Sequence, residues 1–149
     1  MNSHAASPDD FDRLLSLDHH ISASMLAQKI DRKEILVAKI GAELVGWLRF
    51  GYFWDDLPFM NLLFVLEPHR GNHIGMKLVL HWENAMQARG CDQVFTSTLA
   101  DETAQHFYRK LGYIDCGALF LPGEAAEVIL RKPLGAPLQP PTPGNFART

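Results

Sequence analysis

The residues best suited to chemistry lie between an apolar run and a predicted helix. This segment reads E-P-H-R-G-N-H-I-G over residues 67–75 and contains Gly71 and Gly75. Glycine lets backbone N–H groups approach a ligand closely, and a helix N-terminus favours a phosphate. The spacing lacks the Gly-Lys-Ser/Thr of a Walker A loop and supplies only two of the three glycines of the dinucleotide fingerprint. Taken alone, the segment fits both a phosphate-binding loop and a simple strand-to-helix turn.

A second segment, residues 101–113, follows the next predicted strand. It contains A-Q-H-F-Y-R-K-L-G-Y over residues 104–113, which places Tyr108 on the same helix face as Ala104 and Leu111. A tyrosine in that position can be a core residue with its polar end satisfied. Its phenol, with a pKa near 10, can also hydrogen-bond and protonate a leaving group.

Together the two segments resemble the GNAT family of N-acetyltransferases. The family signature is [Arg/Gln]-x-x-Gly-x-[Gly/Ala] after a long apolar strand, then Ala-x-x-Phe/Tyr-Tyr-x-x-x-Gly-Phe/Tyr after the next one. Residues 70–75 and 104–113 match these motifs in the same order, and the resemblance covers roughly residues 5–133. Two positions depart from the pattern: His73 stands where the family has its first loop glycine, and Asp101 replaces a frequent asparagine.

The resemblance implies a binding mode for acetyl-CoA between two splayed parallel strands. Backbone groups of the long strand would pair with the pantetheine amides and polarise the acetyl carbonyl as an oxyanion donor. These strand residues are Phe64, Val65 and Leu66. The pyrophosphate would rest on the N–H groups of Arg70, Gly71, Asn72, His73, Ile74 and Gly75. Asp101 would contact the pantetheine, and Tyr108 would protonate the leaving thiolate.

The resemblance implies an amine acceptor, either a small-molecule amine or an amine of a peptide or protein, and that amine must be neutral to attack. A primary amine with a pKa near 10.4 is only about 0.04% neutral at pH 7, so the site needs a base or must lower that pKa. Some family members use a glutamate on the long strand, but Asn61 stands roughly there and cannot take a proton. Glu67, at the end of the strand, is the nearest carboxylate in sequence and is the predicted base, acting directly or through water; Asp55, Asp56 and Glu124 are alternatives, since they lie on loops that could reach the substrate.

The sequence predicts direct transfer in a ternary complex, because no motif places Cys91 or Cys116 beside a base. A non-catalytic acyl-CoA-binding regulatory module is the alternative. A weaker one is a structural homodimer built on an aromatic cluster, formed by Tyr52, Phe53, Trp54 and Phe59. No metal is predicted, because the paired histidines lack a third ligand at a suitable spacing.

Several elements must position these residues. The sequence predicts helices over 7–20, 24–31, 74–89 and 102–111, and strands over 35–40, 43–53, 59–66, 93–98, 113–121 and 126–132. The strand–helix–strand unit over 59–98 implies one parallel pair with a right-handed crossover, and the flanking hairpins imply antiparallel neighbours. The predicted fold is therefore α/β, a mixed and mostly antiparallel sheet with helices on both faces. Residues 1–6 are too short and polar to predict a strand.

Composition narrows the class of protein. The 149 residues carry a formal net charge of −3, which argues against a nucleic-acid-binding protein. No apolar run reaches the 18 or so residues of a membrane span, and the first residues do not resemble a signal peptide. The two cysteines form neither a disulfide framework nor a metal motif, which favours a cytoplasmic protein. The predicted domain covers 5–133, and a Pro-rich C-terminal tail covers 134–149, since five of the nine prolines occur from Pro133 onward.

Overall fold

Most strands of the fold form from apolar runs in the sequence. A computed structural model describes residues 1–135 of the chain. The strands are β1 (Asn2–Ala5), β2 (Ile35–Ile40), β3 (Glu43–Phe53), β4 (Leu57–Val65), β5 (Gln93–Leu99), β6 (Ile114–Leu119) and β7 (Glu127–Pro133). The helices are α1 (Phe11–Leu17), α2 (Ala23–Asp31), α3 (Ile74–Ala88) and α4 (Ala104–Lys110), with short 3₁₀ turns at Pro8–Asp10 and Glu67–His69. The described residues divide into two compact units, residues 1–82 and residues 83–135.

The first unit is an antiparallel sheet, β1-β2-β3-β4, covered by helices. Strand β3 is apolar on both faces, and it is buried from Leu44 to Gly51. Trp47 packs into a core with residues of α1, α2 and β2, which include Leu14, Leu26, Ile30, Ile35 and Val37. Phe50 instead contacts Trp82 of α3, with ring centroids 5.8 Å apart. Helices therefore cover both faces of this central strand, as its continuous apolar run predicts.

Strand β1 is present, so the expectation of no strand in residues 1–6 is wrong. Asn2–Ala5 pairs with β2 at the edge of the sheet. A polar strand is tolerated there because only one of its two hydrogen-bonding edges is paired with another strand. Ser3 hydrogen-bonds to His81 Nδ1 of α3 at 2.7 Å. Partners in β2 and α3 hold the strand in place. Its own four residues carry too weak a pattern to predict it, because its formation depends on those partners.

The second unit is an antiparallel sheet in the order β5-β7-β6. Strand β6 is the edge, and all six of its residues are exposed. Arg109 of α4 donates two hydrogen bonds to the carboxylate of Asp115, at 3.0 and 2.9 Å, and so joins the helix to this strand. Phe120, directly after β6, is 83% exposed.

The predicted α/β fold with a mixed, mostly antiparallel sheet is confirmed. The strand order is β1-β2-β3-β4 in the first unit and β5-β7-β6 in the second, and β4 and β5 are the strands that the sequence predicts to be parallel. Strands β2 and β3 have the predicted bounds, whereas β4 begins at Leu57 and closes a tight hairpin with β3. Within the described part of the chain, no helix is long and apolar enough to cross a membrane. The boundary of the predicted domain stays a prediction, and residues 136–149 of the predicted tail lie outside the described residues.

Candidate active site

The loop between β4 and α3 presents a run of backbone N–H groups. In α3 the N–H of Lys77 donates to the carbonyl of His73 at 3.0 Å. Within residues 1–135, the five N–H groups from Gly71 to Gly75 have no backbone acceptor. Gly71 and His73 both have left-handed backbones, with φ of 81° and 61°, on either side of Asn72. Such alternation turns successive N–H groups toward one point and makes an anion-binding concavity, which we call the N–H nest.

The residues at the end of β4 and directly after it differ in the direction in which their backbone N–H groups point. The N–H of Leu66 donates to the carbonyl of Val45 at 2.9 Å, so it is not free to bind a ligand, contrary to the expectation from sequence. Hydrogen-bonded and non-hydrogen-bonded residue pairs alternate along an antiparallel ladder. The N–H of Phe64, which lies opposite Trp47, therefore also points toward β3. Val65, opposite Gly46, therefore turns its N–H away from β3. Of the three predicted donors, Val65 is the one that this geometry favours.

Arg70 is folded back against the end of β4. Its Nε donates to the carbonyl of Val65 at 2.9 Å, and its guanidinium lies 5.3 Å from the centroid of the Phe64 ring. Its backbone N–H donates to Glu67 at 3.2 Å, which corrects the expectation that this N–H is available to a pyrophosphate. Arg70 therefore brings its exposed cationic side chain to the loop and ties the loop to the strand.

A glycine that the sequence analysis did not single out makes room for this loop. A Cβ on Gly46 of β3 would lie 3.0 Å from the carbonyl oxygen of Phe64 and 3.4 Å from Cγ2 of Ile74. Only glycine lets the end of β4 and the first residue of α3 come this close to β3. The signal was a glycine inside an otherwise apolar strand, which often marks close backbone approach.

Replacing His73 with glycine should leave the N–H nest intact and raise the free energy of unfolding by up to about 1 kcal/mol. A left-handed non-glycine residue costs about 1–2 kcal/mol, and the greater freedom of glycine in the unfolded chain returns part of that gain. Asn72→Gly is the matched control and should destabilise the fold, because Asn72 has no left-handed backbone to relieve. Urea denaturation measures both variants. A loss of more than 1 kcal/mol in His73→Gly would contradict the strain argument.

In the second unit, Tyr108 lies in α4 with its phenol buried. It is 7% exposed, and its ring meets that of Tyr113 edge-on at 5.7 Å. Burial raises the pKa of Tyr108 to about 12; a hydrogen bond with Thr96 of β5 lowers it, and the charge of Glu102 raises it further. The phenol therefore keeps its proton throughout the neutral range, which an acid must do before it donates.

Alkaline pH should unfold the protein partly through Tyr108. The unfolded phenol ionises near pH 10 and the folded one near pH 12. Because the folded pKa is the higher one, this contribution to stability is complete below pH 10 and is lost as pH rises through 12. The loss should reach about 2–3 kcal/mol. Urea denaturation from pH 9 to 12 should show a shallower decline in Tyr108→Phe than in the wild type, and equal slopes would contradict this assignment.

A buried ionic network holds the neighbour of Tyr108. The hydroxyl of Tyr113 donates to Glu83 Oε1 at 3.0 Å, and Lys132 Nζ donates to Glu83 Oε2 at 2.8 Å. Burial and the Glu83 carboxylate both raise the pKa of Tyr113 above its usual range. The N–H of Tyr113 also donates to the carbonyl of Tyr108 at 3.1 Å. The network thereby fixes the end of the second motif, and no pattern of residue types along the chain predicts it.

The remaining predicted residues lie on exposed turns. Glu67 begins the 3₁₀ turn after β4 and is exposed. Asp101 lies, also exposed, in the turn between β5 and α4. The first unit thus gathers Glu67 and the whole segment Phe64–Gly75 in one stretch of chain, and the second unit holds Asp101 and Tyr108.

Comparisons with known proteins point to one family. Residues 5–113 match the acetyltransferase (GNAT) family. No curated protein matches the sequence. Ard1 from Thermoplasma volcanium is 15% identical with a TM-score of 0.76, over 89% of this chain and 96% of that one. A ribosomal-protein-alanine N-acetyltransferase from Brucella melitensis is 17% identical with a TM-score of 0.76, over 89% and 99%. An aminoglycoside 6′-N-acetyltransferase complexed with coenzyme A is 19% identical with a TM-score of 0.76, over 91% and 98%. At these identities the structures share the fold.

Proposed function

The chain belongs to the GNAT acetyltransferase family, and on that premise we propose that it transfers an acetyl group directly to a primary amine in a ternary complex. Acetyl-CoA supplies the activated acetyl group as co-substrate. A carbon–nitrogen bond forms as the carbon–sulfur bond breaks, the amine loses a proton to a base, and the thiolate gains one from an acid. The observation that carries the proposal is the run of five N–H groups from Gly71 to Gly75, which have no backbone acceptor within residues 1–135.

Each proposed role follows from the position of a group in the chain. The N–H nest from Gly71 to Gly75 binds the pyrophosphate, because converging N–H groups and a helix N-terminus both favour negative charge. The Arg70 guanidinium adds a cation to the same loop. The N–H of Val65, which turns away from β3, donates to the acetyl carbonyl oxygen as charge develops there.

Proton transfer falls to two further residues. Tyr108 donates the proton to the leaving thiolate, and its buried phenol holds that proton at neutral pH. Glu67 takes the proton of the amine, directly or through water, because Asn61 of β4 cannot act as a base. Asp101 contributes a contact to the pantetheine. The cytoplasmic location and a homodimer stay predictions.

Release of free thiol from acetyl-CoA with a panel of amines tests the function. The panel should contain simple primary amines, an aminoglycoside and a peptide with N-terminal alanine, since two structural neighbours act on the latter classes by name. Amine-dependent thiol release is expected with at least one class. Calorimetric binding of acetyl-CoA without thiol release from any amine would favour the non-catalytic binding module instead.

The same assay tests the base. Glu67→Gln should lower kcat/KM and remove a limb of its pH profile, because the rate then depends on the free amine alone. An unchanged pH profile would exclude Glu67 as the base.

A further inference from the structure

A groove lies in the first unit between the end of β1 and the C-terminal half of α2, and we name it the edge groove. Its volume is about 760 Å³, within the range of roughly 300–1,000 Å³ that small-molecule sites occupy. Such sites are mostly apolar, and so is this one. The apolar lining residues are Ala5, Ala6, Pro8, Phe11, Ala27 and Ile30. None of them has a role in the proposed acetyl transfer.

The walls of the edge groove are fixed by packing and by a backbone hydrogen bond. Ala6 and Ile30 belong to the buried core of this unit, and Phe11 packs partly buried against that core. The N–H of Ala6 donates to the carbonyl of Ile35 at 2.9 Å, which ties the end of β1 to the sheet. Ala27 is exposed on α2, and its small side chain leaves the groove open. The groove is therefore formed before any ligand arrives.

Two exposed charges of opposite sign, Asp31 and Lys33, line the edge groove where α2 ends. Within residues 1–135, neither side chain forms an ion pair. The nearest charges on either side do not supply one, because Lys29 and Glu34 pair with each other. A simple cation at Asp31 would lie close to Lys33, and a simple anion at Lys33 would lie close to Asp31. A ligand that carries both charges avoids this repulsion.

We propose that the edge groove binds a free α-amino acid with a large apolar side chain. That side chain would lie against Phe11 and Ala27, the ammonium would pair with Asp31, and the carboxylate would pair with Lys33. The ligand is inferred from charge complementarity, because an apolar lining beside one carboxylate and one ammonium suits a zwitterion with an apolar body. The proposal goes beyond acetyl transfer, since it requires neither acetyl-CoA nor a residue of the candidate active site.

NMR titration of the full, nitrogen-15-labelled chain with L-phenylalanine tests the proposal, in the absence of acetyl-CoA so that the result is independent of the proposed function. L-phenylalanine should bind with a millimolar or lower Kd, and the amide shift changes should concentrate in residues 5–11 and 27–33. Two analogues each lack one charge: 2-phenylethylamine has no carboxylate, and 3-phenylpropanoate has no ammonium. Each should bind about fivefold or more weakly, because it leaves one charge of the groove unpaired beside a like charge.

Ala27→Leu should fill the edge groove and weaken binding about tenfold or more, because the ligand side chain can then no longer be buried. Ala23→Leu is the matched control, since it makes the same substitution at an exposed position of α2 outside the groove. It should bind L-phenylalanine as the wild type does. Both variants should stay folded, because leucine and alanine are both strong helix formers. Lys33→Gln, on the surface, should weaken binding about two- to fivefold.

The proposal is overturned if L-phenylalanine does not bind at millimolar concentration, if either analogue binds equally well, or if Ala27→Leu and Lys33→Gln both bind like the wild type. Shift changes that concentrate in residues 61–75 would place the amino acid at the candidate active site and would also overturn it.

Discussion

Replacing Tyr108 with phenylalanine should slow acetyl transfer in a single turnover by about 10²–10⁴-fold. The variant keeps the ring and its edge-on contact with Tyr113 but loses the proton that we propose for the thiolate. It should also lose about 1–2 kcal/mol of stability, because the hydroxyl hydrogen-bonds to Thr96, which is only 2% exposed. The affinity for acetyl-CoA should stay within a few-fold of wild type.

Thr96→Val separates the two roles of this hydroxyl. This variant removes the Thr96 partner of the hydrogen bond and keeps the Tyr108 phenol. It should lower the free energy of unfolding about as much as Tyr108→Phe does, while the single-turnover rate stays within a few-fold of wild type. Rapid-quench measurement of acetyl transfer and urea denaturation of both variants decide the question. An unchanged rate in Tyr108→Phe would make the phenol a core anchor and remove it from the mechanism.

Replacing Gly75 with aspartate should weaken the binding of acetyl-CoA about 100-fold or more. A carboxylate in the first turn of α3 would face the pyrophosphate that the N–H nest is proposed to hold, and opposed like charges cost several kcal/mol. The fold should gain about 1 kcal/mol at most, because an acidic residue suits a helix N-terminus and glycine does not. The affinity for acetyl-CoA, measured by calorimetry, should therefore fall, while the free energy of unfolding, measured by urea denaturation, should stay the same or rise.

Gly75→Asn controls for size, since its side chain has the same shape without the charge. It should weaken binding by about tenfold or less. If the asparagine and aspartate variants bind equally well, the loop does not hold the phosphates of the ligand.

The sequence predicts the central strands well and the edge of the sheet badly. Strands β2 and β3 follow from their own apolar residues, because a strand buried on both faces needs a continuous apolar run. Strand β1 depends on its pairing with β2 and on the contact of Ser3 with α3, which no local pattern contains. The same reasoning explains β6, where the predicted 113–121 extends past both observed ends of an exposed strand.

At the candidate site, the sequence identifies the loop but not which of its groups are available. Glycine content predicts the approach of backbone N–H groups near Gly71, and the motif predicts Tyr108. The engagement of the Leu66 and Arg70 N–H groups depends on strand register and on a 3₁₀ turn, which residue types alone do not specify. The left-handed conformation of His73 could not be predicted either, because this backbone conformation is typical of glycine and a histidine does not indicate it.

The exposed edge strand β6 has a consequence for how the molecule opens. Every residue of β6 is exposed, so its separation from β7 uncovers little apolar surface of its own and costs far less than global unfolding. Amide hydrogens in the β6–β7 ladder should therefore exchange with deuterium through local opening, long before those of β3. The ion pair of Arg109 with Asp115 resists that opening from the side of α4, so exchange in β6 should quicken as salt screens the pair.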